Sequence, residues 1–111
     1  MAIYSLKKSY QIKNLKEIDF KDLWNDHGVF TTMWVFGKPP KILFFKNHIN
    51  NLIKSLKAYS ILKLSIKQNI LKLIRNNLNK KKKYNHLLRI ALNKNTLSIS
   101  LRKKIKSKSN F

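Results

Sequence analysis

Few side chains in this 111-residue sequence are suited to chemistry. Its three arginines, Arg75, Arg89 and Arg102, stand among many lysines and alone offer a planar fork for carboxylate or phosphate. The histidines His27, His48 and His86 lie too far apart for a short metal-ligand spacing, and there is no cysteine to supply a thiolate, a disulfide or a metal site. All four acids, Glu17, Asp19, Asp22 and Asp26, fall within ten residues near the start. A site driven by paired carboxylates is therefore poorly supplied. Nothing places a serine, a histidine and an acid together, and no phosphate loop, dinucleotide fingerprint or zinc pattern occurs.

Charge is the strongest compositional signal. The formal net charge is +21, and residues 27–111 carry twenty basic groups and no acid. Such a surface attracts polyanions whatever else it does. Lysine, asparagine and isoleucine are abundant while arginine is scarce, which reads as AT-rich codon bias acting on replaceable surface positions. Base-edge recognition favours arginine, so nonspecific polyanion binding is expected. A small basic nucleic-acid-binding protein remains an alternative, because aromatics and lysine interleave in "ILFFKNH", residues 42–48. Lys80–Lys83 form a solvated run.

The elements that must position these side chains follow from periodicity. Residues 1–19 are weakly patterned and fit a strand or a helix. "KDLWNDHG" reads as a turn or short helical stretch ending at Gly28. "VFTTMWVF" reads as a strand, with Val29, Thr31, Met33 and Val35 on one face and Phe30, Thr32, Trp34 and Phe36 on the other. Both faces are largely apolar, as in a central strand. "GKPP" is a turn and "KILFF" a second extended stretch. Asn47 is the expected cap of a helix with the stripe His48, Ile49, Leu52, Ile53, Leu56 and Tyr59. Ser65 is the expected cap of another, with Ile66, Ile70, Leu73, Ile74 and Leu78. "HLLRIAL" and "TLSISLRKKI", joined by "NKN", read as an antiparallel pair. The fold class is α+β: a small antiparallel sheet with two amphipathic helices on one face, in the order ββααββ.

Three stretches resemble the N-terminal domain of class IV (fold-type IV) pyridoxal-phosphate enzymes: aminotransferases and aminodeoxychorismate lyases. The family pattern runs roughly G-V-F-E-T-I-R-V-Y, then G-K-P-F-x-L, then E-H-L-x-R-L-x-x-S-A-x-x-L-x-I. Here Gly28–Phe36 is "GVFTTMWVF", Gly37–Pro39 is "GKP", and Asn47–Ile61 is "NHINNLIKSLKAYSI". "LLRIALNKN" is similar to the family's Y-V-R-x-x-V-T-R-G strand, and the likeness covers about residues 26–102. It implies pyridoxal phosphate as cofactor, held through its phosphate at the position of Trp34, where the family has an arginine. It implies substrate binding at Arg89 and at Lys94, which stands for the arginine of T-R-G.

Family members are more than twice as long, with the Schiff-base lysine in a second domain. The resemblance thus divides the chain into an N-terminal segment (1–25), the class IV-like domain (26–106) and a tail (107–111), without catalytic residues of its own. The partner it implies is a C-terminal domain of the same enzyme or a homodimer mate. The chain alone is expected to be inactive, and a ligand-free structural remnant is a further alternative. No run has signal-peptide or membrane-spanning character, and the expected setting is the cytoplasm.

Overall fold

The computed structural model describes residues 4–23, 28–58 and 65–104. The first strand, β1 (Tyr4–Gln11), decides the ambiguity at the N-terminus in favour of extended chain and turns back into the two-residue β2 (Glu17–Ile18). Then come β3 (Val29–Gly37), β4 (Lys41–Ile42), helix α1 (Phe45–Ala58), helix α2 (Ile66–Asn77), β5 (Tyr84–Leu92) and β6 (Thr96–Lys103). One antiparallel sheet contains all six strands in the order β2-β1-β6-β5-β3-β4. The α+β class holds, with two strands ahead of the expected ββααββ order.

Strand alternation gives the sheet two unlike faces. On one, Met33 and Val35 of β3, Leu88, Ile90 and Leu92 of β5, and Leu97, Ile99 and Leu101 of β6 are all at most 2% exposed. The helices bury Ile49, Leu52 and Leu56 of α1 and Ile66, Ile70, Leu73 and Ile74 of α2 in the same cluster. Polar groups tie the helices down: Thr31 Oγ1 lies 3.2 Å from His48 Nδ1, and Asn77 Nδ2 donates to Tyr10 Oη at 3.2 Å.

Gly28 is required by close approach, since a Cβ there would strike the carbonyl of Leu92. Gly37, at φ +84°, ends β3 in a conformation that disfavours a side chain.

Several local expectations are corrected. The strand β3 is not central: its outer neighbour β4 pairs only with Val35 and Phe36. "KILFF" is extended only over Lys41–Ile42, because Phe44 takes a left-handed φ of 52° and its carbonyl accepts the His48 N–H at 3.0 Å. The helix therefore starts at Phe45, and Asn47 lies inside its first turn rather than capping it. Ser65 does precede α2, but its side chain makes no capping bond; its carbonyl accepts the Asn69 N–H at 2.9 Å. Tyr59 and half of "KDLWNDHG", residues 24–27, lie outside the described residues.

Candidate functional site: the open face of the sheet

The face turned away from the helices carries the chemistry. Cross-strand register sets Arg89 between Thr32 of β3 and Ser100 of β6, and Leu87 between Trp34 and Arg102. Farther across the sheet, Ser9 stands opposite Ser98 and Lys7 opposite Ser100.

Residues 19–23 cross this face, held by a closed set of hydrogen bonds. The Lys21 N–H donates to Ser9 Oγ at 2.8 Å, and the Ser98 hydroxyl donates to the Lys21 carbonyl at 2.6 Å. Since Ser98 spends its proton on that carbonyl, Ser9 is the donor in the 2.7 Å Ser9–Ser98 bond. Both serines are buried without cost because every hydroxyl has its partner.

That crossing brings Asp22 to Arg89, with 3.5 Å between Oδ1 and Nη1. The two ends of the pair differ: the Arg89 side chain is 10% exposed and that of Asp22 is 54% exposed. Phe30 covers the guanidinium, its ring centroid 5.0 Å from Cζ, while remaining 57% exposed itself. Burial lowers the pKa of Arg89 from its usual value, opposed by Asp22 and then Tyr4. The charged fork survives because an arginine starts so far above neutrality.

The same-face neighbour of Thr32 along β3 is Trp34, a diagonal neighbour of Arg89 in the sheet. Its indole N–H donates to Asn85 Oδ1 at 2.9 Å, its ring lies 4.6 Å from that of Phe36, and the Lys104 ammonium stands 4.5 Å from its centroid. Lys94 is not part of this group. It sits in the β5–β6 turn and lines a separate cavity of about 450 Å³ with Lys13 and Lys21. So two of the three expected site residues are brought together and the third is set apart.

Asp22, Phe30, Thr32 and Ser100 were missed by sequence reasoning. Once "NKN" is accepted as a tight turn, counting back along the hairpin pairs Arg89 with Ser100, so that signal was present. Nothing local announced Asp22.

Two features lie on the helix side. His86 is buried at the end of β5, and its pKa is lowered by burial first, then by Lys82 and Lys103. A cavity of about 520 Å³ is lined mainly by Pro39, Ile42, Phe45, Ile74 and Leu78, an apolar groove with Arg75 and Lys80 at its rim.

Among the described residues no group of three or more histidines or acids could hold a metal ion, and no helix is long and apolar enough to cross a membrane.

None of the family models, curated proteins or solved structures compared with this chain matches it. The reading of the open face rests on its own residues and on the resemblance in the sequence.

Proposed function

We propose that the chain is the N-terminal domain of a class IV aminotransferase-like or aminodeoxychorismate-lyase-like protein, whose open face grips a substrate carboxylate through Arg89. The observation that carries this reading is the Arg89–Asp22 pair. A buried guanidinium on a rigid central strand meets a carboxylate on a well-exposed side chain, which a ligand carboxylate can displace at little cost. The positions implied by the resemblance, Trp34 and Arg89, also fall on this face as diagonal neighbours.

Pyridoxal phosphate supplies an electron sink for amino-acid chemistry in that family. The residues present do not fit its phosphate end. Trp34 offers one neutral N–H, already given to Asn85, where a charged fork is needed. No step through the cofactor is assigned to this chain, which acts by binding and orienting. A lysine-bearing C-terminal domain or a second protomer, in a cytoplasmic setting, completes the catalytic site.

The test is a titration of labelled protein with a small 2-oxo acid and with its methyl ester, followed by NMR. The acid should shift the Arg89 guanidinium signal and the amides of Phe30 and Thr32, and the ester should not. Equal shifts with both, or none at saturating acid, would overturn the reading.

A further inference from the structure

The cavity beside Lys94 is built from two turns and the crossing segment, each fixed by its own hydrogen bonds. Lys13 lies in the β1–β2 turn, where the Leu15 N–H reaches the Gln11 carbonyl at 2.7 Å and the Lys16 N–H reaches Asn14 Oδ1 at 2.9 Å. Lys21 is pinned through its backbone by Ser9 and Ser98. Lys94 lies in the β5–β6 turn, where Asn93 Oδ1 accepts the N–H groups of Asn95 and Thr96. The Ile12 N–H joins the two turns through the Asn95 carbonyl at 2.9 Å.

The result is a cup of about 450 Å³ lined by Lys13, Lys21 and Lys94, by the amide and hydroxyl residues Gln11, Asn95 and Thr96, and by Ile12 and Ile18. Among the described residues no carboxylate lines it. Glu17 and Asp19 flank the lining residue Ile18 in sequence, yet neither reaches the wall. Glu17, paired with Tyr10, belongs to the helix side of the sheet. Among the described residues the only ion pair is Arg89–Asp22, so none of the three lysines has an acidic partner there.

Three lysines around one volume repel one another, and a multivalent anion within reach of all three adds attractions that offset the repulsion. The backbone is already ordered, so the conformational cost of binding falls on the lysine side chains alone. The cup is within the range of small-molecule sites and too small for a folded partner. Lysine acts as a point charge, which suits a tetrahedral oxyanion of high charge better than a planar carboxylate.

From this geometry we infer that the Lys13–Lys21–Lys94 cup is a binding site for a small phosphate-bearing anion, separate from Arg89. It does not depend on the carboxylate reading.

Because the whole chain is cationic, the experiment must separate a site from bulk charge. Inorganic phosphate and glycerol phosphate are titrated into the full chain in about 0.15 M sodium chloride, where charges beyond ~8 Å are screened, with amide shifts as the readout. The amides of Lys13, Lys21, Asn95 and Thr96 should move together along a saturable curve. Combined replacement Lys13→Gln, Lys21→Gln and Lys94→Gln should weaken binding at least tenfold. The control Lys54→Gln, Lys57→Gln and Lys67→Gln removes the same charge from exposed helix positions and should change it less than twofold. All six lysines are exposed, so folding is retained, as circular dichroism will verify. Tighter binding of glycerol phosphate than of inorganic phosphate would assign the anion as a phosphomonoester, and the reverse as free phosphate. Equal losses in both triple variants, or binding of an oligonucleotide but of neither small anion, would overturn the inference.

Discussion

The two faces of the sheet are made by the same strands and obey opposite rules. Behind β5 and β6, the side chains of Leu88, Ile90, Leu92, Leu97, Ile99 and Leu101 are aliphatic and packed with the helices in one cluster. In front, the next residue along each strand is serine, arginine or alanine, and several of these are buried as deeply: Ile99 is 0% exposed and its neighbour Ser98 is 3% exposed. One face is held by the exclusion of water, the other by matched donors and acceptors under a crossing segment. The first tolerates any well-fitting apolar group. The second depends on particular atoms, which is the condition for recognising a ligand.

Neighbouring substitutions on β6 separate these rules. Ile99→Ala should lose about 2–5 kcal/mol in a urea melt, the cost of a cavity in the aliphatic layer. Ser98→Ala leaves the Ser9 hydroxyl and the Lys21 carbonyl without their partner and should lose about 1–3 kcal/mol. It should also free the crossing segment, seen as faster exchange of the Lys21 amide. If Ser98→Ala melts like the parent, the open face is not held as described.

Trp34→Arg probes the proposed class IV reading by placing a charge on the same face. In a fusion to a lysine-bearing domain of a class IV enzyme, retention of pyridoxal phosphate after gel filtration should rise about tenfold, ~1.4 kcal/mol. No gain would refute the assigned position of Trp34. The unfused parent chain should show no absorbance band that borohydride fixes to one lysine.

His86 tests the helix side. Its pKa in the fold lies below the ordinary 6.5, so the unfolded chain takes up the proton first as pH falls. The stability present above about pH 6.5 should be lost as pH drops towards the folded value. The thermal midpoint should fall over that window, and His86→Gln should flatten the fall. A profile unchanged by the substitution would remove His86 as its source.

The smallest effect is a null comparison. Neutralising Lys54, Lys57, Lys67 and Lys72 on the helices, or Lys7, Arg102, Lys103 and Lys104 on and just after β1 and β6, should weaken oligonucleotide binding alike, within about twofold, since counterion release counts charges rather than places. A loss confined to the second set would favour a nucleic-acid surface there.

How much of this was legible in the sequence depended on the range of the determining contacts. Alternation in "VFTTMWVF" and the 3.6-residue stripes of both helices are local, and they gave β3, α1 and α2. β1 was not legible, because Lys7, Lys8 and Ser9 interrupt its apolar residues and Ser9 is buried for reasons that lie 89 residues away, at Ser98. The misplaced cap at Asn47 had a local cause of another kind: Phe44 adopts a backbone conformation that its residue type disfavours. Arg89 stood out as a rare fork, but its partner Asp22 and the convergence of Lys13, Lys21 and Lys94 arise only when the strands are in register.

The Ser9–Lys21–Ser98 clamp also sets an order in time. During synthesis β1 and the crossing segment are made well before β6, the strand on which both depend, since Ser98 follows Lys21 by 77 residues. At ~5–20 residues per second, β1 and the crossing segment wait several seconds for their neighbour. Through that interval Ser9 and the Lys21 backbone have water in place of their native partners, and β1 has an open edge on the side that β6 will occupy. The fold is closed from its C-terminal end, so a ribosome that stalls before Ser98 leaves a nascent chain whose beginning has nothing to pair with.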